Sequence, residues 1–321
     1  MDGGQYGTAF KFRKREGAIS VSFCVSDNYC QHLAVVVASI LEHAAEEDRF
    51  VFHVLTKMIS DGNVRRLKQM EVEAKQRCRF VFHHVDRSRF DKFPLPLEHI
   101  TQEMYYRYLL PEILEDEERT IYMDVDVLVY GSLRRFWEIE LGDCLLAGTT
   151  DIKEDSPGFR AYKRQLGMQP DAPYFYSGML VMDLARLRAA KFCDRCMANT
   201  GKSYRFLDWP DQDIINLTME GQILSLPQAW HCTDPKVLQP GENILIRHFA
   251  NFSAKPWCCL YKNRTWPEYL KYLRRTPYRD RAWAFVGSHI RGFFFFRYTK
   301  KGVERILVCG ILVWRRKRVR A

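Results

Sequence analysis

The sequence predicts an α/β protein with a mostly parallel central sheet flanked by helices. The first observation is that short apolar runs alternate with helix-length amphipathic stretches over the first 257 residues, the order expected of βα units. The second is composition: 47% hydrophobic and 27% charged residues lie near the globular average and exclude a disordered chain, a collagen or a coiled coil. The third is length. At 321 residues the chain suits one large domain with an appendage, or two domains.

Residues 19–25 read as the first strand, ended by Ser26, Asp27 and Asn28. A helix over 31–44, a strand over 50–55, a helix over 62–75 and a strand over 79–85 follow. Residues 103–114 read as helical, with Pro111 marking an interruption, because proline lacks the amide hydrogen that an interior turn needs. Strands are expected at 121–129, 144–149 and 179–182, with helices over 184–198 and 212–220. Beyond Trp257 the pattern gives way to aromatic and basic residues. The expected division is therefore a body, 1–257, and a basic aromatic extension, 258–321, largely helical.

The formal net charge of +10 is unevenly placed. Residues 255–321 hold 18 Lys or Arg and three Asp or Glu, a net of +15, which leaves the first 254 residues with 31 and 36, a net of −5. Nucleic-acid binding is not expected from an acidic body without a recognition motif. The longest apolar run, 306–314, has nine residues, well short of the ~20 that a membrane-spanning helix needs. Four phenylalanines at 293–296 stand beside Arg297, Lys300 and Lys301, and residues 315–320 are almost all cationic. Cations clustered with aromatic residues suit an anionic membrane surface. No apolar run follows the basic cluster Lys11, Arg13, Lys14 and Arg15, so a secretory signal is not expected. The expected location is the cytoplasm, peripheral on the inner face of the cell membrane. The ten cysteines have no scaffold spacing; the isolated pair Cys193 and Cys196 and the adjacent Cys258 and Cys259 are expected to be mostly buried thiols.

A sheet of this kind invites a nucleotide, yet neither phosphate-binding glycine motif is present. Asp124 and Asp126 offer another route. Two carboxylates on one face of an apolar strand repel and lose hydration, at a cost of several kcal/mol unless a positive group lies between them. A divalent cation with a preference for oxygen answers that cost and can neutralise a diphosphate in turn. His248, in a second strand-like segment, would favour Mn²⁺ over Mg²⁺. Lys255 could meet a phosphate as a point charge. Asp211, at the start of a helix, could be its N-cap or a polar group fixed toward a cleft.

As a set, these segments resemble glycosyltransferase family 8, the retaining transferases with a GT-A fold, and within it the bacterial lipopolysaccharide core glucosyl- and galactosyltransferases. In family order the pieces are Phe23 to Tyr29, Tyr105 to Pro111, Tyr122 to Asp126, Gly148 to Asp151, Tyr174 to Gly178, Asp211-Gln212-Asp213, and His248 with Lys255-Pro256-Trp257. The resemblance implies a GT-A catalytic domain over 1–257, with 258–321 as a membrane-association extension. It implies a nucleotide-sugar site built from Cys24, Ser26, Asp27, Asn28, Arg107, Asp124, Val125, Asp126, Ser177, Gly178 and Lys255. Asp124, Asp126 and His248 would hold Mn²⁺ or Mg²⁺, while Gln212, Asp211 and Asp151 would meet the donor sugar. The chain departs from the family pattern at Ser26, where an aspartate is usual, and at Tyr176, which replaces an asparagine. The spacing from His248 to Lys255 is one residue longer, with Asn251 where a glycine is usual.

The implied reaction moves a hexose from UDP-galactose or UDP-glucose, with retention, to a lipid-linked oligosaccharide acceptor. A glycogenin-like enzyme with a soluble acceptor would share these motifs. So would a catalytically silent sugar-nucleotide-binding protein. The basic tail argues against the first, and the intact Asp124, Asp126, His248 and Gln212 argue against the second.

Overall fold

The structure, a computed structural model, describes residues 10–95, 101–153, 156–203, 207–251, 254–258, 264–300, 303–309 and 311–317. Cys259, Lys301 and the cationic residues from 318 onward lie outside them. The first half runs β1 (Ile19–Cys24), α1 (Cys30–Glu42), β2 (Phe50–Thr56), α2 (Asp61–Glu73) and β3 (Cys78–His84), in the predicted order. In β1, Ile19, Val21 and Phe23 enter the core from one face. Ser20 and Ser22 turn to the other, where both reach Thr120 Oγ1, at 3.1 and 2.6 Å, and so keep their buried hydroxyls paired. In α1, Leu33, Val36, Val37 and Ile40 recur at helical spacing and are fully buried, each contributing about 1.5–3 kcal/mol.

Three predicted elements divide. The segment expected as one helix over 103–114 is a 3₁₀ run, Gln102–Leu109, leading into α3 (Leu110–Ile113). Pro111 lies in the first turn of α3, where no amide hydrogen is needed, so it starts a helix rather than interrupting one. The strand expected over 121–129 breaks into β4 (Arg119–Met123) and β5 (Val127–Val129). After α4 (Arg134–Glu138), β6 (Leu146–Gly148), α5 (Pro157–Leu166) and β7 (Met179–Asp183), the helix expected over 184–198 becomes α6 (Leu184–Ala189) and α7 (Phe192–Ser203). Lys191, with a left-handed φ of 52°, separates those two. The body closes with α8 (Pro210–Thr218), β8 (Ile223–Ser225) and β9 (Ile246–His248).

The main sheet has seven strands in the order β3-β2-β1-β4-β7-β6-β8. Every pairing is parallel except those of β7, which runs against both its neighbours. Alternation along the strands feeds two cores. Ile121, Met123, Met179 and Val181 join the core beneath α1, while Tyr122, Leu180 and Met182 join a second one with Tyr105, Tyr108 and the apolar faces of α6, α7 and α8. β5 leaves the main sheet and pairs antiparallel with β9.

The extension begins with α9 (Trp266–Leu273), which packs on α1 and adds Tyr269, Leu270, Tyr272 and Leu273 to the first core. α10 (Ala282–Phe294) follows. The helical expectation fails beyond it: β10 (Phe295–Lys300), β11 (Val303–Val308) and β12 (Ile311–Lys317) form an antiparallel meander. This stretch is rich in Val, Ile and Phe, and Cys309 turns at a φ of 48° between β11 and β12, so strand propensity and a hairpin turn prevail over helix formation. Among the described residues no helix is long and apolar enough to cross a membrane.

Candidate active site

The acidic centre lies where the two sheets part. Asp124 N–H donates to Gly178 O at 2.8 Å, which carries the β4–β7 pairing one residue further. Phe249 N–H donates to Asp126 O at 2.9 Å and does the same for β5–β9, in which Val127 stands opposite His248. Asp124, Val125 and Asp126 therefore form a corner rather than a length of continuous strand, which corrects the same-face argument. The corner still gathers the two carboxylates with His248. One ligand atom from each of the three lies within 4.8 Å of the others. His248 Nε2 is 3.2 Å from Asp126 Oδ1 and 3.9 Å from Asp124 Oδ2. Gly178 leaves them room: a Cβ there would meet His248 Cε1 at 2.3 Å and Asp124 Oδ2 at 2.8 Å. Two carboxylates and one imidazole around a space kept clear by a glycine fit a divalent cation that accepts oxygen and nitrogen ligands.

Two cations compensate this acidity. Lys255 pairs with Asp126 through its ammonium. Burial raises the Asp126 pKa, but Lys255 and His248 outweigh burial and hold the carboxyl well below its usual range. Arg107, almost wholly buried, bridges Asp124 at 3.0 Å and Asp211 at 2.9 Å, and it donates to Ser177 O at 2.8 Å. Its guanidinium also lies 4.4 Å from the centre of the Tyr122 ring, whose hydroxyl donates to Asp124 Oδ1 at 2.6 Å. Burial pushes the Asp211 carboxyl upward, and Arg107 opposes that shift.

α8 supplies the next set. Trp209 takes the cap position, so Asp211 is not the cap but a residue of the first turn, where the helix dipole favours a carboxylate. Asp211 Oδ2 accepts from Ser177 Oγ at 2.8 Å, and Gln212 Oε1 accepts from Ser177 N–H at 3.2 Å. Asp213 points away from the cavity to Tyr162, Tyr174 and the Trp209 N–H. Tyr176 gives its hydroxyl to Asp151 Oδ1 at 3.2 Å and receives one from Thr233 at 3.1 Å, so the residue that departs from the family pattern fixes Asp151.

These groups line one cavity of about 690 Å³. Cys24, Ser26, Val125, Ser177, Gly178 and Lys255 border it along with the acidic centre, Arg107, Gln212 and Asp151. Burial pushes the Cys24 thiol up to about 12. Asp27 and Asn28 do not line it. Asp27 accepts from Ser60 N–H at 2.7 Å and Asn63 Nδ2 at 2.8 Å, at the start of α2, and Asn28 accepts from Ser26 Oγ at 2.7 Å. Among the residues of this region that sequence reasoning gave no role, four stand out. Tyr29, Trp209 and Arg247 border the cavity. His231 lies behind it, its Nε2 2.9 Å from His248 Nδ1, and burial holds it well below the usual histidine pKa. Tyr29 ends the segment Phe23 to Tyr29, and Trp209 is an aromatic residue directly before Pro210-Asp211; these were the signals available. Cys193 and Cys196 are both buried in α7, as expected, and burial raises both thiols.

Comparison with known proteins bears on the family and the fold. The sequence profile described as Glycosyl transferase family 8 matches residues 20–259. General stress protein A of Bacillus subtilis is 25% identical over 284 residues, 83% of this chain and 96% of that protein. Lipopolysaccharide 1,2-glucosyltransferase of Escherichia coli K12 is 21% identical over 312 residues, 92% of this chain and 88% of that one. Among solved structures, galactosyltransferase LgtC in complex with donor and acceptor sugar analogs superposes with a TM-score of 0.70 at 25% identity, covering 80% of this chain and 96% of that one.

Proposed function

The chain belongs to glycosyltransferase family 8, and on that premise we propose that it transfers galactose or glucose from a UDP-sugar, with retention, to a lipopolysaccharide or lipooligosaccharide core acceptor. The observation that carries the reading is the convergence of Asp124, Asp126 and His248 beside the buried Arg107, the half-buried Lys255 and Gln212 in a single cavity. Asp124, Asp126 and His248 would hold Mn²⁺ or Mg²⁺. When bound, such an ion stabilises the negative charge of a departing diphosphate. Arg107 and Lys255 add fixed positive charge in a site shielded from water, where it counts most. Asp211 and Asp151, each oriented by a hydroxyl partner, suit donor-sugar hydroxyls and the cationic character that develops at the anomeric carbon. Gln212, held by the Ser177 N–H, would face the back of that carbon. A carboxamide is a poor nucleophile, so attack by the acceptor on the departing side of the sugar is favoured over a covalent intermediate.

The acceptor assignment draws on the likeness to the E. coli lipopolysaccharide glucosyltransferase and on the C-terminal extension, proposed to bind an anionic membrane surface on the cytoplasmic side. In the meander, strand register places Phe295, Val308 and Ile311 at one end and Lys300, Val303 and Lys317 at the other. Phe293, Phe294, Phe295, Ile311 and Val313 are exposed. An apolar end opposite one that carries two lysines suits the interface of an anionic bilayer. A thermal-shift screen of nucleotide sugars, with and without Mn²⁺, tests the donor side. UDP-galactose or UDP-glucose should stabilise the protein only when Mn²⁺ is present. Equal stabilisation by GDP- or ADP-sugars, or by UDP-sugars in excess chelator, would refute the reading.

A further inference from the structure

We infer that His231 is a positioning residue that fixes the tautomer and orientation of His248 for metal binding, through a buried relay Thr149–His231–His248. The inference rests on the metal reading above and extends it to His231, outside the family segments, and to Thr149, which had been given no role.

His231 sits between β8 and β9 and is fully buried. Its segment is pinned along β9: Leu245 N–H donates to Ala229 O at 2.8 Å, Cys232 N–H to Ile246 O at 2.8 Å, and His248 N–H to Cys232 O at 2.9 Å. Its side chain is used at both ends. His231 Nε2 lies 2.9 Å from His248 Nδ1, and His231 Nδ1 lies 2.9 Å from Thr149 Oγ1. The two rings stand 5.0 Å apart with planes at 33°.

The proton order along this chain follows from donor and acceptor counting. A hydroxyl has one hydrogen, and Thr149 gives it to the His231 carbonyl at 3.2 Å. Thr149 Oγ1 then acts as an acceptor toward His231, whose Nδ1 carries the hydrogen. A neutral imidazole has one donor and one acceptor, so His231 Nε2 is bare and accepts from His248 Nδ1–H. With Nδ1 keeping its hydrogen, a metal ion would take the place of the proton that His248 Nε2 shares with Asp126, and the Nε2 lone pair would be the ligand. A ligating histidine is held in this way by a group on its other nitrogen, and loss of such a group typically weakens metal binding 10–100-fold. Here the holding group is a second histidine, itself oriented by a threonine.

The test is Mn²⁺ affinity, read from the free-ion electron paramagnetic resonance signal in the presence of UDP, for wild type, His231→Leu, His231→Gln, Thr149→Val and Asp126→Asn. Leucine fills much of the volume without an acceptor; glutamine restores one. His231→Leu should lose about 10–100-fold in affinity, with His231→Gln recovering most of it and Thr149→Val falling between. Circular dichroism and melting temperature report whether each variant folds; if His231→Leu does not fold, Thr149→Val and His231→Gln decide. Wild-type affinity in a folded His231→Leu or Thr149→Val variant would overturn the relay while leaving the metal site standing. A wild type that takes up no more Mn²⁺ than Asp126→Asn would overturn the metal reading and the relay with it.

Discussion

Arg107 shows how a single side chain ties the site together. It is the shared partner of Asp124 and Asp211, both largely shielded from water. Removing it leaves the buried Asp211 and the half-buried Asp124 without their shared cation, and breaking a buried pair typically costs about 3–5 kcal/mol. Arg107→Met should therefore lower the free energy of unfolding by about that amount and abolish transfer; urea denaturation measures the first and UDP release the second. Gly178 predicts the opposite combination. The atoms nearest to a methyl group there belong to His248 and Asp124, so Gly178→Ala should retain a melting temperature near that of wild type while losing most Mn²⁺-dependent activity. Asp124, Asp126 and His248 were legible because chemistry restricts which residues can share an apolar strand with two charges. His231 was not legible: a histidine between two loop-like stretches looks the same whether it faces solvent or a ligand, and only strand pairing brings it to His248. Asp27 misled for the related reason that a carboxylate after a strand serves a helix start as well as a nucleotide.

At the scale of elements, α8 combines a functional first turn with a structural anchor. Asp213 is fully buried and accepts from two tyrosine hydroxyls and the Trp209 N–H. Burial outweighs those hydrogen bonds and raises its pKa from 3.8 to about 6. The folded state thus holds this proton more tightly than the unfolded chain, and the stability it contributes is full below pH 3.8 and is lost as pH rises through about 6. Relative to Asp213→Asn, wild type should lose about 2 kcal/mol of stability between about pH 4.5 and about pH 7, measurable by denaturant titration across that range. A difference that stays flat with pH would contradict the assignment. The broken elements have local causes that periodicity does not register. Apolar character persists from Ile121 to Val129, yet the chain changes sheets at Asp124, because β5 finds its partner in β9 more than a hundred residues later. The helix boundary at Lys191 depends on one backbone angle. The meander escaped because aromatic and cationic residues suit an amphipathic helix and an exposed hairpin alike.

Over the whole molecule, the −5 of the first 254 residues and the +15 of the remainder are proposed to serve different tasks. The acidic residues include the proposed metal and sugar ligands; the basic residues accompany an exposed apolar surface at the C-terminal end. The protein should float with phosphatidylglycerol vesicles and not with phosphatidylcholine, should be released by high salt, and should lose flotation when 295–321 are deleted. Flotation of the truncated protein with anionic vesicles would refute the role of the meander. The central claim is metal-dependent transfer from a UDP-hexose with retention, and its most direct measurement is proton nuclear magnetic resonance of the protein with UDP-galactose or UDP-glucose and Mn²⁺. The hexose released should appear first as the α anomer, at a rate abolished by excess chelator and by Asp126→Ala. Release of the β anomer first, or a rate unchanged by chelator, would contradict the account.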